Sequence, residues 1–236
     1  MCPLANEKQT IEAFVNELLE VCRKYPFKRI CFYAILDKVS KDGTIDVLQE
    51  MGKRIPEIKV IYAPENRNVV DAYKRGYKEA IYDNVDWILE IDGGYSHQPS
   101  QIPQFFETML EGKYDCVFLS RFCQKGRFTN GSFKRLTLSL GGTWVINLVL
   151  GTKLSDMTSG FELFTRDALV KILQKGILSK GPFFQSEIRA FAHQFRIIEV
   201  PIDYNAATGH EQANAIFDAF ISLKRLVDMR LQGKLY

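Results

Sequence analysis

The chain reads as an α/β fold, a mainly parallel central sheet with helices on both faces. Three observations predict it. Short β-rich apolar runs alternate with segments of helical periodicity. Polar residues gather where those runs end: Asn6-Glu7, Asp37, Asn66, Asp92 and Arg121. At 236 residues, 46% hydrophobic and 25% charged, the chain is long enough to bury a full core as one domain spanning 1–236.

The elements follow in order. Ile11 to Cys22 repeats apolar residues at helical spacing, with Thr10 as its cap. Arg29 to Leu36 is a β-rich run that stops at Asp37, and Asp42-Gly43-Thr44 turns the chain into a helix over Gly43 to Met51. Ile58 to Tyr62 is a short strand and Val69 to Tyr82 a helix. Trp87 to Ile91 is the next strand, Ser100 to Leu110 a helix, and Cys116 to Leu119 a strand ending at Ser120-Arg121. On this reading the chain opens at the end of what should be the first strand, leaving that strand truncated.

The most telling stretch is Trp87-Ile-Leu-Glu-Ile-Asp92-Gly-Gly-Tyr-Ser96-His97-Gln-Pro99. A buried strand there delivers a carboxylate to the lip of the sheet. In open α/β sheets the ligand crevice lies outside the carboxyl ends of the strands. The two glycines let a ligand approach the backbone. Asp92 is also in place to cap the following helix.

Several function classes are excluded or unsupported. A net charge of +3 does not argue for a nucleic-acid partner. The five cysteines form no C-x-x-C pair, so no zinc or redox motif is indicated, and free thiols suit a cytoplasmic location. No signal peptide is visible, and no apolar run reaches the length of about 18 residues needed to span a membrane. Neither the P-loop pattern nor the dinucleotide glycine fingerprint occurs.

The order of motifs resembles the family-2 glycosyltransferases of GT-A fold. It runs through Pro3-Leu-Ala-Asn6-Glu7, Asp37 to Thr44, Asn66, and Asp92 to Pro99. Ser155 to Phe161, Phe184-Gln185-Ser-Glu187 and Arg196 to Ile202 narrow the resemblance to the dolichol-phosphate mannosyltransferase-like branch. That branch moves a sugar from a nucleotide donor to a polyprenyl phosphate. The resemblance implies that Pro3, Asn6, Glu7 and Asn66 border the donor and that Asp37 contacts its base. Asp92 matches the first acid of D-x-D, which holds Mg or Mn against the diphosphate. Arg121 matches a basic residue near the phosphates, and Gln185 and Glu187 match the active-site end of the second half.

This chain departs from the pattern at Gly94, the third position of D-x-D, at Lys38 and Asn68, and at Ala207-Thr-Gly209-His210-Glu211, where a phosphate-gripping run is usual. A histidine near the position of His210 also ligates the metal in many GT-A enzymes, so His210 is a second metal candidate beside its reading as a loop histidine. Asp156 or Glu187 is a general base if the acceptor is a hydroxyl, and Asp156 organises its loop if the acceptor is a phosphate. The expected reaction is an inverting transfer from a UDP- or GDP-linked sugar to a polyprenyl phosphate. The alternatives are transfer to a glycan hydroxyl and nucleotide-sugar binding without turnover.

Two segments suit a peripheral contact at the cytoplasmic membrane face. Lys125 to Leu150 joins basic residues to an apolar stretch containing Trp144, which reads equally as a core helix. Ile216 to Tyr236 is an amphipathic basic helix, equally able to pack on the domain.

Overall fold

The computed structural model describes residues 1–123, 126–129, 133–205 and 215–236. The first half contains β1 (Cys2–Pro3), α1 (Ile11–Arg23), β2 (Phe32–Leu36), α2 (Thr44–Arg54), β3 (Ile58–Tyr62), α3 (Val69–Tyr82), β4 (Trp87–Glu90), a 3-10 turn over Pro99–Gln101 and α4 (Ile102–Leu110). The second contains β5 (Cys116–Ser120), β6 (Arg127–Thr129), α5 (Phe133–Leu150), β7 (Glu162–Thr165), α6 (Arg166–Gln174), α7 (Phe184–Ala192), β8 (Ile197–Pro201), β9 (Asp203–Asn205) and α8 (Ala215–Leu231).

β1, β2 and β3 are parallel, with Cys2 opposite Ala34 and Phe32 opposite Ile58. β5 and β8 are parallel, while β7 runs antiparallel to both β4 and β5. Met1 joins the two sheets. Its ammonium donates to the Leu89 carbonyl at 2.6 Å, and its carbonyl accepts from the Ile91 amide at 3.2 Å. Strand order across the body is therefore β3–β2–β1–β4–β7–β5–β8. The alternating rhythm predicts parallel strands, and β7 is the exception. Asp156 pairs with Arg121 beyond the carboxyl end of β5, and β7 starts from that edge and runs back. β6 and β9 form a separate parallel pair.

Two apolar clusters fill the faces of the sheet. α1, α2 and α4 cover one face, with Phe14, Leu19, Leu48 and Phe105 fully or almost fully buried. α3, α6, α7 and α8 cover the other through Tyr77, Leu169, Phe191 and Leu226. Each such large apolar side chain contributes about 1.5–3 kcal/mol when removed from water.

Helix starts show local logic. Asn68 caps α3 by accepting the Asp71 amide at 3.1 Å. Thr10 does not cap α1 with its side chain; its hydroxyl turns back to the Glu7 carboxylate at 3.2 Å. Asp42 accepts the Thr44 amide at 2.9 Å and Gly43 takes φ +89°, which turns the chain into α2.

Candidate active site

The loops that follow β1 and β2 meet at the carboxyl ends of the strands. Asn6 ties them together. It sits at φ +60°, a conformation asparagine adopts more readily than most residues. Its side-chain amide donates to the Val39 carbonyl at 3.2 Å and accepts from the Lys41 amide at 2.9 Å. The Glu7 amide donates to Thr44 Oγ1 at 2.8 Å. Asn6 and Glu7 are thus fastened to the loop after β2, while Pro3 lies within β1 opposite Ile35. Asp37 ends β2 half-buried, accepting the Val39 amide at 2.9 Å. Asn66 is buried nearby in sequence to β3, and its Nδ2 has no hydrogen-bond partner among the described residues. A buried donor without a protein partner is free to bond a water or a bound group.

Asp92 stands just beyond β4 with its side chain 38% exposed. Tyr73, reaching across from α3, donates its hydroxyl to Asp92 Oδ1. His97 lies behind it, 1% exposed, between the rings of Phe161 and Tyr204 at 4.9 and 5.4 Å. His97 Nδ1 accepts the Asp92 amide at 3.3 Å. Burial lowers the His97 pKa, and the opposing pull of the Asp92 charge does not reverse it. With Nδ1 accepting that amide, the imidazole positions the Asp92 backbone.

The Gly93-Gly94 turn is already crowded. A Cβ on Gly94 would lie 2.9 Å from Glu7 Oε1 and 3.0 Å from Oε2. Gly94 also takes φ +71°. Glycine suits this position, where the backbone is left-handed and a side chain would have to displace the Glu7 carboxylate.

The second half adds a charged pair beyond β5. Arg121 follows β5 and is 5% exposed. Its Nε donates to Asp156 Oδ2 at 2.7 Å, and its Nη2 donates to Asp156 Oδ1 at 2.8 Å and to Thr158 Oγ1 at 2.6 Å. Burial pushes the Asp156 carboxyl up, but the hydrogen bonds and charge of Arg121 outweigh it and bring the value down to about 2. An acid so held is a poor proton acceptor. Glu199 accepts the amides of Ser155 and Asp156 at 2.7 and 3.1 Å and fixes the same loop from below.

Behind this loop lies a buried polar cluster. Arg189 of α7 is wholly buried. It donates to Glu162 Oε1 at 2.7 Å, to the Leu119 carbonyl at 3.0 Å and to the Asp156 carbonyl. Glu90 receives the Tyr77 hydroxyl and the Gln185 amide. Burial, with the charge of Glu162 adding to it, holds Glu90 well above the usual carboxylate range.

The fold does not bring Glu187 to this group. Its carboxylate is buried, accepts the Leu178 and Ser179 amides at 3.2 and 2.9 Å, and pairs with Arg225 at 2.9 Å. Burial pushes its pKa up, against those hydrogen bonds. Gln185, two residues earlier, does face the cluster. His210 lies outside the described residues. Among the described residues no group of three or more His, Cys, Asp or Glu is arranged to hold a metal.

Sequence reasoning missed Tyr73, Glu90 and Arg189. Tyr73 is masked by its place on the apolar face of α3, and Arg189 by the apolar pattern of α7. Glu90 had a readable signal, an acid inside the buried run Trp87-Ile-Leu-Glu-Ile.

A sheet of this order, with acids and amides collected at its carboxyl edge, has the architecture of an α/β protein that binds its ligand beyond the strand ends. The chain belongs to glycosyl transferase family 2, whose model matches residues 2–173. It is 30% identical over 172 residues to an undecaprenyl-phosphate mannosyltransferase of Micrococcus luteus, covering 72% of this chain and 70% of that one. It is 25% identical over 205 residues to a polyprenol monophosphomannose synthase of Mycolicibacterium smegmatis, covering 86% and 75%. These relatives place it in the dolichol-phosphate mannosyltransferase-like branch. In structure it is similar to the glucosyl-3-phosphoglycerate synthase of Mycobacterium tuberculosis in complex with Mn2+, UDP and glucosyl-3-phosphoglycerate, with a TM-score of 0.57, 16% identity and coverage of 99% and 78%. A second structure of that synthase, with UDP, gives a TM-score of 0.59 at 15% identity, covering 99% and 78%. At this identity the likeness shows the GT-A fold.

Proposed function

We propose that this chain, acting as a single domain, transfers a sugar from a nucleotide-diphosphate donor to a polyprenyl phosphate, inverting the anomeric centre. The observation that carries the choice of acceptor is the fork between Arg121 and Asp156. A hydroxyl acceptor needs a base to take its proton. Asp156 is held ionised by two hydrogen bonds from Arg121, and Glu187 is buried against Arg225. A phosphate acceptor is already ionised near neutral pH and needs neither.

Asn6, Asp37 and Asn66 border the nucleoside in this reading, with the partnerless Asn66 Nδ2 as a donor to it. Arg121, fixed in plane by Asp156, lies at the phosphates, a preorganised charge that requires no rearrangement during transfer. The carboxylates at the Gly93-Gly94 turn are hard oxygen ligands that suit Mg or Mn. Asp92 would hold a divalent ion there, and the ion would supply positive charge to the leaving nucleoside diphosphate.

The lipid tail of the acceptor requires a membrane surface nearby. No described helix is long and apolar enough to cross a membrane. α5 exposes Phe133, Leu140, Trp144 and Leu148, and α8, packed against it, exposes Phe217 and Phe220. These faces suit peripheral contact at the cytoplasmic leaflet.

The test is sugar transfer from labelled UDP- and GDP-sugars to a polyprenyl phosphate, with calorimetric titration of UDP and GDP with and without Mn2+. Transfer that requires the metal and disappears in Asp92→Ala is the expected result. A folded protein that binds neither nucleotide overturns it.

A further inference from the structure

The D-x-D pattern of the family calls for an acid at position 94, and the structure fills the space of that side chain with the carboxylate of another residue. We propose that Glu7, reaching over from the loop after β1, supplies the oxygen ligand that Gly94 cannot, so that Glu7 and Asp92 together hold the divalent ion. This rests on the transferase reading above and names a ligand of that same site.

Three observations carry it. Both Glu7 carboxylate oxygens lie at 2.9 and 3.0 Å from where a Gly94 Cβ would stand, and Glu7 Cγ lies 3.7 Å from a Cβ on Gly93. Real Cβ atoms do not approach other atoms so closely, so a side chain at position 94 and Glu7 in this pose exclude each other. An acid enters from one side of the turn or from the other.

Glu7 is also held in place. Its carbonyl accepts the Thr10 and Ile11 amides at 3.0 and 2.9 Å, its amide donates to Thr44, and its Oε2 accepts the Thr10 hydroxyl at 3.2 Å. That contact leaves Oε1 toward the turn and orients the carboxylate before any ion arrives.

The electrostatics point the same way. Among the described residues no ion pair joins Glu7 or Asp92 to a lysine or arginine. Half-buried carboxylates without a counter-cation create a potential that a divalent ion neutralises.

The experiment is a Mn2+ titration followed by electron paramagnetic resonance of the free ion, run with Mn2+ alone and with UDP or GDP. Wild type, Glu7→Gln and Glu7→Ala with Gly94→Asp are compared, each with a thermal melt. Glu7→Gln is expected to weaken Mn2+ binding by about tenfold or more. Gly94→Asp with the truncated Glu7→Ala is expected to recover most of the loss, since aspartate tolerates the left-handed conformation and the alanine leaves it the space that Glu7 fills. Unchanged Mn2+ binding in Glu7→Gln overturns the assignment, and so does a double variant with no recovery, which attributes the loss to a damaged loop. Wild-type protein that binds no Mn2+ with either nucleotide overturns the transferase reading and this ligand with it.

Discussion

Arg121 and Asp156 meet as a closed fork beyond the end of β5, with Nε on Oδ2 at 2.7 Å and Nη2 on Oδ1 at 2.8 Å. Both side chains are almost wholly buried, so neither charge has water as an alternative partner.

This fork sets a pH dependence. The Asp156 value in the folded chain is about 2, below its ordinary 3.8, in spite of burial and because of Arg121. A depressed acid contributes stability that is complete above the ordinary value and lost as pH falls through the folded one. The shift corresponds to about 2 kcal/mol. Denaturant titrations of wild type and Asp156→Asn should show a stability gap that narrows between about pH 4 and pH 2. A gap unchanged across that range removes the fork as its source.

Arg189 and Glu162 are expected to be strongly coupled. Arg189→Met leaves Glu162 buried and unpaired and should cost about 3–5 kcal/mol. Adding Glu162→Gln should recover a large part, because the stranded charge is gone. A double-mutant cycle in urea reads the coupling directly, and strictly additive losses contradict it.

Tyr73→Phe tests how Asp92 is aimed. The variant keeps the ring against Phe184, with centroids 4.6 Å apart, and removes only the hydroxyl that holds Asp92 Oδ1. Losing such a supporting hydrogen bond should weaken apparent Mn2+ affinity by about 10–100-fold with little change in melting temperature. The readout is the Mn2+ dependence of sugar transfer; an unmoved dependence frees Asp92 from Tyr73.

The exposed apolar faces of α5 and α8 predict binding to lipid. Trp144 is 66% exposed and Phe217 70%. The wild-type protein should co-float with anionic liposomes, and Trp144→Ser with Phe217→Ser should reduce that fraction without unfolding the chain. Wild type left at the bottom of the gradient rules the contact out.

Much of the architecture could be read from residue pattern. Ile58 to Tyr62 and Val69 to Tyr82 form the strand and helix that their spacing predicts, and Asp37, Asp92 and Arg121 stand at strand ends as the apolar runs before them imply. β7 was not legible as antiparallel, because direction depends on where the preceding loop is anchored, and that anchor is the contact of Asp156 with Arg121. The polar cluster behind the site was hidden for a similar reason. Arg189 lies in α7 among residues that are all buried, and its partners Glu162 and Leu119 are far away in sequence. Periodicity reports which face is inward and says nothing of which inward charge finds a partner. The contact between Glu7 and the Gly94 turn is likewise a relation between two loops, visible only once both are folded.

The buried carboxyl of Glu90 has a consequence of its own. Burial, then the nearby charge of Glu162, keeps its folded pKa well above the ordinary value. The folded chain therefore holds the Glu90 proton more tightly than the unfolded chain does. Here the linkage runs opposite to that of Asp156, and the stability contributed by this group fades as pH rises. Closing the sheet and binding a hydrogen ion favour one another at this carboxyl.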